Sequence, residues 1–212
     1  MRAEAEIDRY PRAFTAWQFP IGRFVGWLLM FVLGRMKTIG MKNIPPSGGV
    51  LILSNHRSDC DPVAVQVASQ RPIRFMAKSE LWDMKGIRTV LKWIKAFPVK
   101  RGEPDKSAIK HAVDMLKAGE CVGVFPEGQL TEDGNLQELK PGVALIVRMS
   151  GVPVICCGLK NTDKIVPYKS LIPRPAFKRV IVQWGEPKTF ERHADTAEIM
   201  AWAEAELRRL TS

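Results

Sequence analysis

The sequence predicts an α/β fold. A mixed, largely parallel sheet is covered by helices on both faces, with an N-terminal helical membrane-anchoring segment in front. Three observations lead there. From Lys37 onward, short uncharged apolar runs alternate with amphipathic stretches. Segments of helical length separate those runs, as parallel strands require. Before Lys37 the chain is a different material, apolar on every face from Phe24 to Gly34.

Residues 1–18 carry charges of both signs, and the run Phe24 to Gly34 carries none. A helix apolar all round must be covered by protein or lipid. This run is well short of the ~20 apolar residues that a full membrane span needs. It is expected to lie in one leaflet as a monotopic anchor, with Arg23 and Arg35 reaching back to the headgroups. The alternative is an internal core helix. Residues 1–38 are accordingly read as the anchor and 39–212 as the α/β domain.

Val50-Leu51-Ile52-Leu53 follows Pro46-Ser47-Gly48-Gly49 and reads as a buried strand. Pro62 to Ala68 suits a helix, because proline is tolerated in a first turn. Phe75 to Ala77 is a short strand, Gly86 to Lys95 has helical spacing, and Ala96 to Val99 suits an edge strand. Asp105 to Lys117 places Ile109, Ala112, Val113 and Leu116 on one helical face, with Gly119 as the stop. Cys121 to Phe125 is a second strong strand. Pro141 to Met149 is a helix, Val152 to Cys157 and Val180 to Trp184 are strands, and Thr196 to Leu210 is a closing helix.

The chain's 212 residues, 46% hydrophobic, suffice for a real core. A formal net charge of +10 favours anionic partners: nucleic acid, an acidic membrane surface or phosphorylated substrates. Nucleic acid is set aside. The six tryptophans form no basic-aromatic ladder, and no helix-turn-helix or zinc-finger spacing is readable. The four cysteines contain no CxxC pair and are expected to be reduced thiols packed as small hydrophobes. No signal peptide with a small-residue cleavage site opens the chain, so the expected location is the cytoplasmic face of the cell membrane.

The richest segment is Ser54-Asn55-His56-Arg57-Ser58-Asp59-Cys60-Asp61-Pro62, directly after a buried strand. Strand ends in open α/β sheets are where ligand crevices form. A neutral imidazole suits proton removal near pH 7. A carboxylate can hold its second nitrogen and stabilise the imidazolium, and Asp61 can reach back over one turn. Asp61 before Pro62 also suits a helix N-cap, and both roles can coexist. Val124-Phe125-Pro126-Glu127-Gly128-Gln129-Leu130-Thr131 leaves a second buried strand and could be a plain exit turn. Phe97-Pro98-Val99-Lys100-Arg101-Gly102 could be solvated surface charge. Gly151-Val152-Pro153-Val154 could be packing alone. No second cluster completes a metal site around His56, Asp59 and Asp61, so no metal is expected. A nucleophilic Cys60 is disfavoured, and no Gly-x-Ser-x-Gly elbow is present.

In chain order these blocks resemble the glycerolipid acyltransferase family, in particular the bacterial 1-acylglycerol-3-phosphate acyltransferases, over about Gly40 to Thr162. The resemblance implies His56 as the catalytic histidine and Asp61 as its partner. Arg101 matches the arginine for the acceptor's phosphate, and Glu127 and Gly128 match the acceptor-binding motif. Asn55, Ser58, Lys100, Gln129, Thr131 and Lys140 join the expected substrate-binding set. No cofactor is implied. The acyl donor is an acyl-CoA or an acyl carrier protein thioester, the acceptor is a lysophospholipid, and membrane phospholipids are the remaining partner. The family pattern after Glu-Gly is commonly Thr-Arg-Ser. Here Leu130 stands at the second basic position, and leucine cannot bind phosphate. A different lysolipid or lipid alcohol is the alternative acceptor. A basic lipid-surface module without chemistry is the alternative of another class.

Overall fold

A computed structural model describes residues 18–93, 96–99, 105–170 and 172–212. Its seven strands form one sheet. In chain order they are β1 Lys37–Ile39, β2 Val50–Ser54, β3 Ile73–Lys78, β4 Phe97–Val99, β5 Cys121–Val124, β6 Val154–Lys160 and β7 Ile181–Trp184. Helices α1 Gln18–Gly34, α2 Asp61–Val67, α3 Lys85–Trp93, α4 Lys106–Lys117, α5 Gly142–Ser150 and α6 Thr196–Thr211 lie between and around them.

The strand order is β1-β7-β6-β2-β5-β3-β4. Every pairing from β6 through to β4 is parallel. β7 turns back antiparallel on β6. β1 then pairs with β7 in parallel, so the sheet is mixed and largely parallel. β4 is the edge strand, as its Pro98 requires. The strand β1 was not legible, since Lys37-Thr38-Ile39 is too short and polar to read as one. It also straddles the expected boundary at 38/39.

Helices cover both faces. Along β2, Val50 and Ile52 face the core beneath α1 and α2. Leu51 and Leu53 face the core beneath α4, α5 and α6. β6 repeats the alternation, with Ile155, Cys157 and Leu159 on the first face and Val154 and Cys156 on the second. Strands buried on both sides read as continuous apolar runs, which is why these two were visible in the sequence. All four cysteines are free.

The N-terminal helix departs from a free-standing anchor. One face docks on the domain through Met30, which is 2% exposed, with Gly34 packed against Val180 and Ile165. Its opposite face leaves Ile21, Phe24, Val25, Leu29 and Val32 each more than half exposed. Arg23 and Arg35 each tie back to the domain. Arg23 donates to the Val67 carbonyl at 3.2 Å, and Arg35 donates to the Phe177 carbonyl. Among the described residues, no helix is long and apolar enough to cross a membrane.

Candidate functional site

β2 and β5 run side by side in parallel, with Leu53 opposite Val124. Their C-terminal exits therefore open on the same edge of the sheet, where the crevice of an open α/β sheet forms. The β2 exit carries His56 and the β5 exit carries Phe125 to Thr131. The two exits are tied by the Thr131 amide, which donates to the His56 carbonyl at 3.0 Å.

His56 Nδ1 lies 3.0 Å from Asp61 Oδ2. The same oxygen accepts the Arg57 amide at 2.6 Å and the Ser58 amide at 2.7 Å. Asp61 is fully buried, and these charge-assisted bonds offset the cost of keeping a carboxylate out of water. Asp61 is not the N-cap that its position before Pro62 suggests. It is the first residue of α2, and its carboxylate turns back to the loop before it.

The imidazole stacks on Phe125, with ring centroids 4.1 Å apart. Phe125 in turn stacks on Phe75 at 5.8 Å. Gly123 makes room for that pile, since a Cβ there would sit 2.5 Å from the Phe75 ring. A hydrogen bond on one side and an aromatic face on another give the ring little freedom to turn.

Glu127 is 1% exposed. One carboxylate oxygen accepts the His56 amide at 2.7 Å and the other accepts the Gln137 amide at 2.9 Å. Burial holds its carboxyl above the usual carboxylate range, against the lowering effect of those two amides. Glu127 therefore clamps the His56 loop to the β5 exit, and both its oxygens are taken by backbone amides. Gly128 takes φ +72°, a left-handed turn that favours glycine.

Asn55 and Ser58 are also held by the backbone. Asn55 exchanges two hydrogen bonds with the Leu159 backbone, at 3.0 and 2.7 Å. Ser58 Oγ donates to the Val166 carbonyl at 2.7 Å. Both side chains are buried and brace the loop, so neither is placed to touch substrate. Lys140 is exposed and packs beside Gly128, its amide donating to the Pro126 carbonyl. Lys100 and Arg101 lie outside the described residues.

A cavity of about 800 Å³ opens beside His56. Gln129, Leu130 and Thr131 line it. Reading the sequence missed Lys78, Tyr168 and Lys169, which also line it. Lys78 ends a strand, where its outward side chain looks like ordinary surface charge. Tyr168 and Lys169 sit more than a hundred residues from His56 and carry no short-range motif. Each lysine has a loose, solvent-exposed partner: Glu80 at 3.2 Å from Lys78, and Glu132 at 3.7 Å from Lys169. Burial pushes the Cys60 thiol up to about 12 and Asp61 adds to the rise, which disfavours a nucleophilic thiolate. Among the described residues no His, Cys, Asp and Glu cluster could hold a metal ion.

Residues 35–160 match the family model described as Acyltransferase, so the chain carries an acyltransferase domain. The chain is 35% identical over 161 residues to the 1-acyl-sn-glycerol-3-phosphate acyltransferase of Bacillus subtilis, covering 76% of this chain and 77% of that one. It is 28% identical to a chloroplastic 1-acyl-sn-glycerol-3-phosphate acyltransferase of Brassica napus, again over 76% of this chain but 46% of the plant protein. The crystal structure of PlsC, the 1-acyl-sn-glycerophosphate acyltransferase of Thermotoga maritima, shares the fold with a TM-score of 0.76 at 21% identity, over 90% of this chain and 77% of that one. The chain belongs to the PlsC-like family of 1-acyl-sn-glycerol-3-phosphate O-acyltransferases.

Proposed function

We propose that this acyltransferase moves a fatty acyl group from an acyl-CoA or acyl carrier protein thioester to the free hydroxyl of a lysophospholipid. The preferred acceptor is 1-acylglycerol-3-phosphate, giving phosphatidic acid. The observation that carries the reading is the 3.0 Å contact between His56 Nδ1 and Asp61 Oδ2 at the wall of a cavity. A carboxylate oxygen accepts, so this contact supports the tautomer with the ring proton on Nδ1. Nε2 is then left with its lone pair for the acceptor hydroxyl.

As the hydroxyl oxygen attacks the thioester carbonyl, Nε2 takes its proton. Asp61 orients the ring and offsets the charge that develops on it. Collapse of the tetrahedral intermediate expels the carrier's thiolate, which takes up a proton. No acyl-enzyme is needed. The amides of His56, Arg57 and Ser58 are committed to Glu127 and Asp61, so oxyanion stabilisation falls to other donors.

Lys78 and Lys169 are the described cations on the cavity wall, and they supply the attraction for an acidic headgroup. Their exposed ion pairs cost little to exchange for a phosphate. Leu130 on the same wall favours a second reading at the level of the acceptor, a lysolipid whose headgroup does not need a second arginine. The apolar outer face of α1 supports docking at the cytoplasmic face of the membrane without spanning it.

The test is a panel of lysolipid acceptors incubated with one acyl-CoA, with products identified by mass spectrometry. The wild type should acylate lysophosphatidic acid, and His56→Ala should lose ~10²–10⁴-fold of that rate while staying folded. Near-normal turnover by His56→Ala would end the proposal. Preference for another lysolipid would leave the mechanism standing and replace the acceptor.

A further inference from the structure

The exposed apolar surface of α1 continues beyond the helix. Phe177 is 97% exposed and Ile172 is 77% exposed, the barest large apolar side chains among the described residues. Single exposed apolar residues are ordinary, but contiguous ones mark a contact surface. These two belong to a segment laced onto the end of α1. The Ala176 amide donates to the Leu33 carbonyl at 2.6 Å, and the Val180 amide donates to the Gly34 carbonyl at 2.8 Å. Arg35 holds the Phe177 carbonyl. Phe31 and Val32, 47% and 67% exposed, lie on the last turns of the same helix.

Along the two stretches of chain that carry this surface, the charge has one sign. No aspartate or glutamate occurs from Gln18 to Ser58, or from Lys164 to Gly185. Arg35, Lys37, Arg174, Lys178 and Arg179 fall within those stretches, and all are exposed. Pro173 and Pro175 lack N–H groups, so the segment carries few donors that would need water. Tyr168 and Lys169, which lead into the same segment, line the cavity beside His56.

We propose that segment 172–177 is a second membrane contact. Ile172 and Phe177 enter an anionic lipid surface beside α1, and Arg174, Lys178 and Arg179 meet the headgroups. The inference rests on the bilayer docking of α1 proposed above. Two contacts flanking the cavity loop hold its mouth at the headgroup layer. A lysolipid can then present its hydroxyl to His56 without its acyl chain crossing water.

The test is sedimentation of the full chain with phosphatidylcholine vesicles, with and without phosphatidylglycerol. Ile172→Ser/Phe177→Ser should lower vesicle affinity about tenfold or more, the scale set by partial burial of two large apolar side chains. Arg174→Gln/Lys178→Gln should lower it roughly fivefold per charge on the phosphatidylglycerol vesicles alone. Turnover on detergent-dispersed acceptor should be unchanged in both. Phe24→Ser/Val32→Ser tests the α1 face separately. If that variant loses affinity while Ile172→Ser/Phe177→Ser keeps it, the second contact falls and the α1 reading stands. If the wild type binds no vesicle, both fall. A wild-type dimer that disappears in Ile172→Ser/Phe177→Ser, at unchanged vesicle affinity, would overturn the proposal in favour of a second copy. So would lost turnover in detergent, which would place the segment in the cavity's own machinery.

Discussion

Two carboxylates are buried at neighbouring strand exits, and they do different work. Asp61, after β2, gives one oxygen to the His56 ring and to two backbone amides. Glu127, after β5, gives its oxygens to the backbone of His56 and of Gln137. The first contacts the His56 ring, the second the backbone that carries it. Under the mechanism proposed above, that contrast separates a chemical role from a positioning role. The atom that each carboxylate touches decides which.

The widest separation should come from Asp61→Asn. An amide oxygen can still accept the ring N–H but carries no charge to offset an imidazolium, so kcat should fall ~10²–10⁴-fold with KM little changed. A large rise in KM with kcat preserved would put Asp61 in binding and dissolve the contrast. Steady-state kinetics on a detergent-dispersed acceptor reads it.

Glu127→Gln should cost less in rate and more in stability. One backbone amide loses its acceptor, at about 1–3 kcal/mol. The loosened loop should lower kcat by up to about 10²-fold. The pH dependence sharpens the point. Because burial raises the Glu127 carboxyl in the fold, the folded chain binds that proton more tightly than the unfolded chain. Its contribution favours folding below the ordinary Glu value and is lost as pH rises through the raised one. Urea melts across that window should show wild-type stability declining with pH, and the Gln variant should lack that part of the slope. An identical slope in the two proteins would remove Glu127 as its source.

Lys78→Ala and Lys169→Ala should each raise KM for a phosphate-bearing acceptor about fivefold and leave kcat alone, since both cations are exposed and screened. Added salt should mimic the effect in the wild type and do little in the double variant. Cys60→Ala should change turnover least. With the thiol at about 12 against an ordinary 9.0, Cys60 should alkylate roughly a thousandfold more slowly than a free thiol near pH 8. Rapid alkylation that abolished activity would reopen Cys60 as a participant.

Much of the architecture was legible because burial on both faces makes a parallel strand locally conspicuous. Val50 to Leu53 and Cys121 to Phe125 needed only their own residues to be seen. β1 escaped because its stability comes from pairing with β7, far along the chain. The limits of the anchor reading have the same origin. A run apolar on every face does not say how much of it protein will cover, and packing through Met30 covers part. Arg23 and Arg35 looked like headgroup ligands until tertiary structure supplied carbonyls closer at hand.

For the site, local spacing alone brought His56 and Asp61 within reach, since five residues entering a helix span one loop and turn. The family resemblance also nominated Glu127, Gln129 and Thr131. Only the tertiary structure turned Glu127 from a presumed acceptor ligand into a clamp, made Asn55 and Ser58 braces, and brought Lys78, Tyr168 and Lys169 to the same wall. The physical reason is range. Hydrophobic runs and turn chemistry act over a few residues, whereas the partner of a buried polar group is whichever donor or acceptor the folded sheet carries to it.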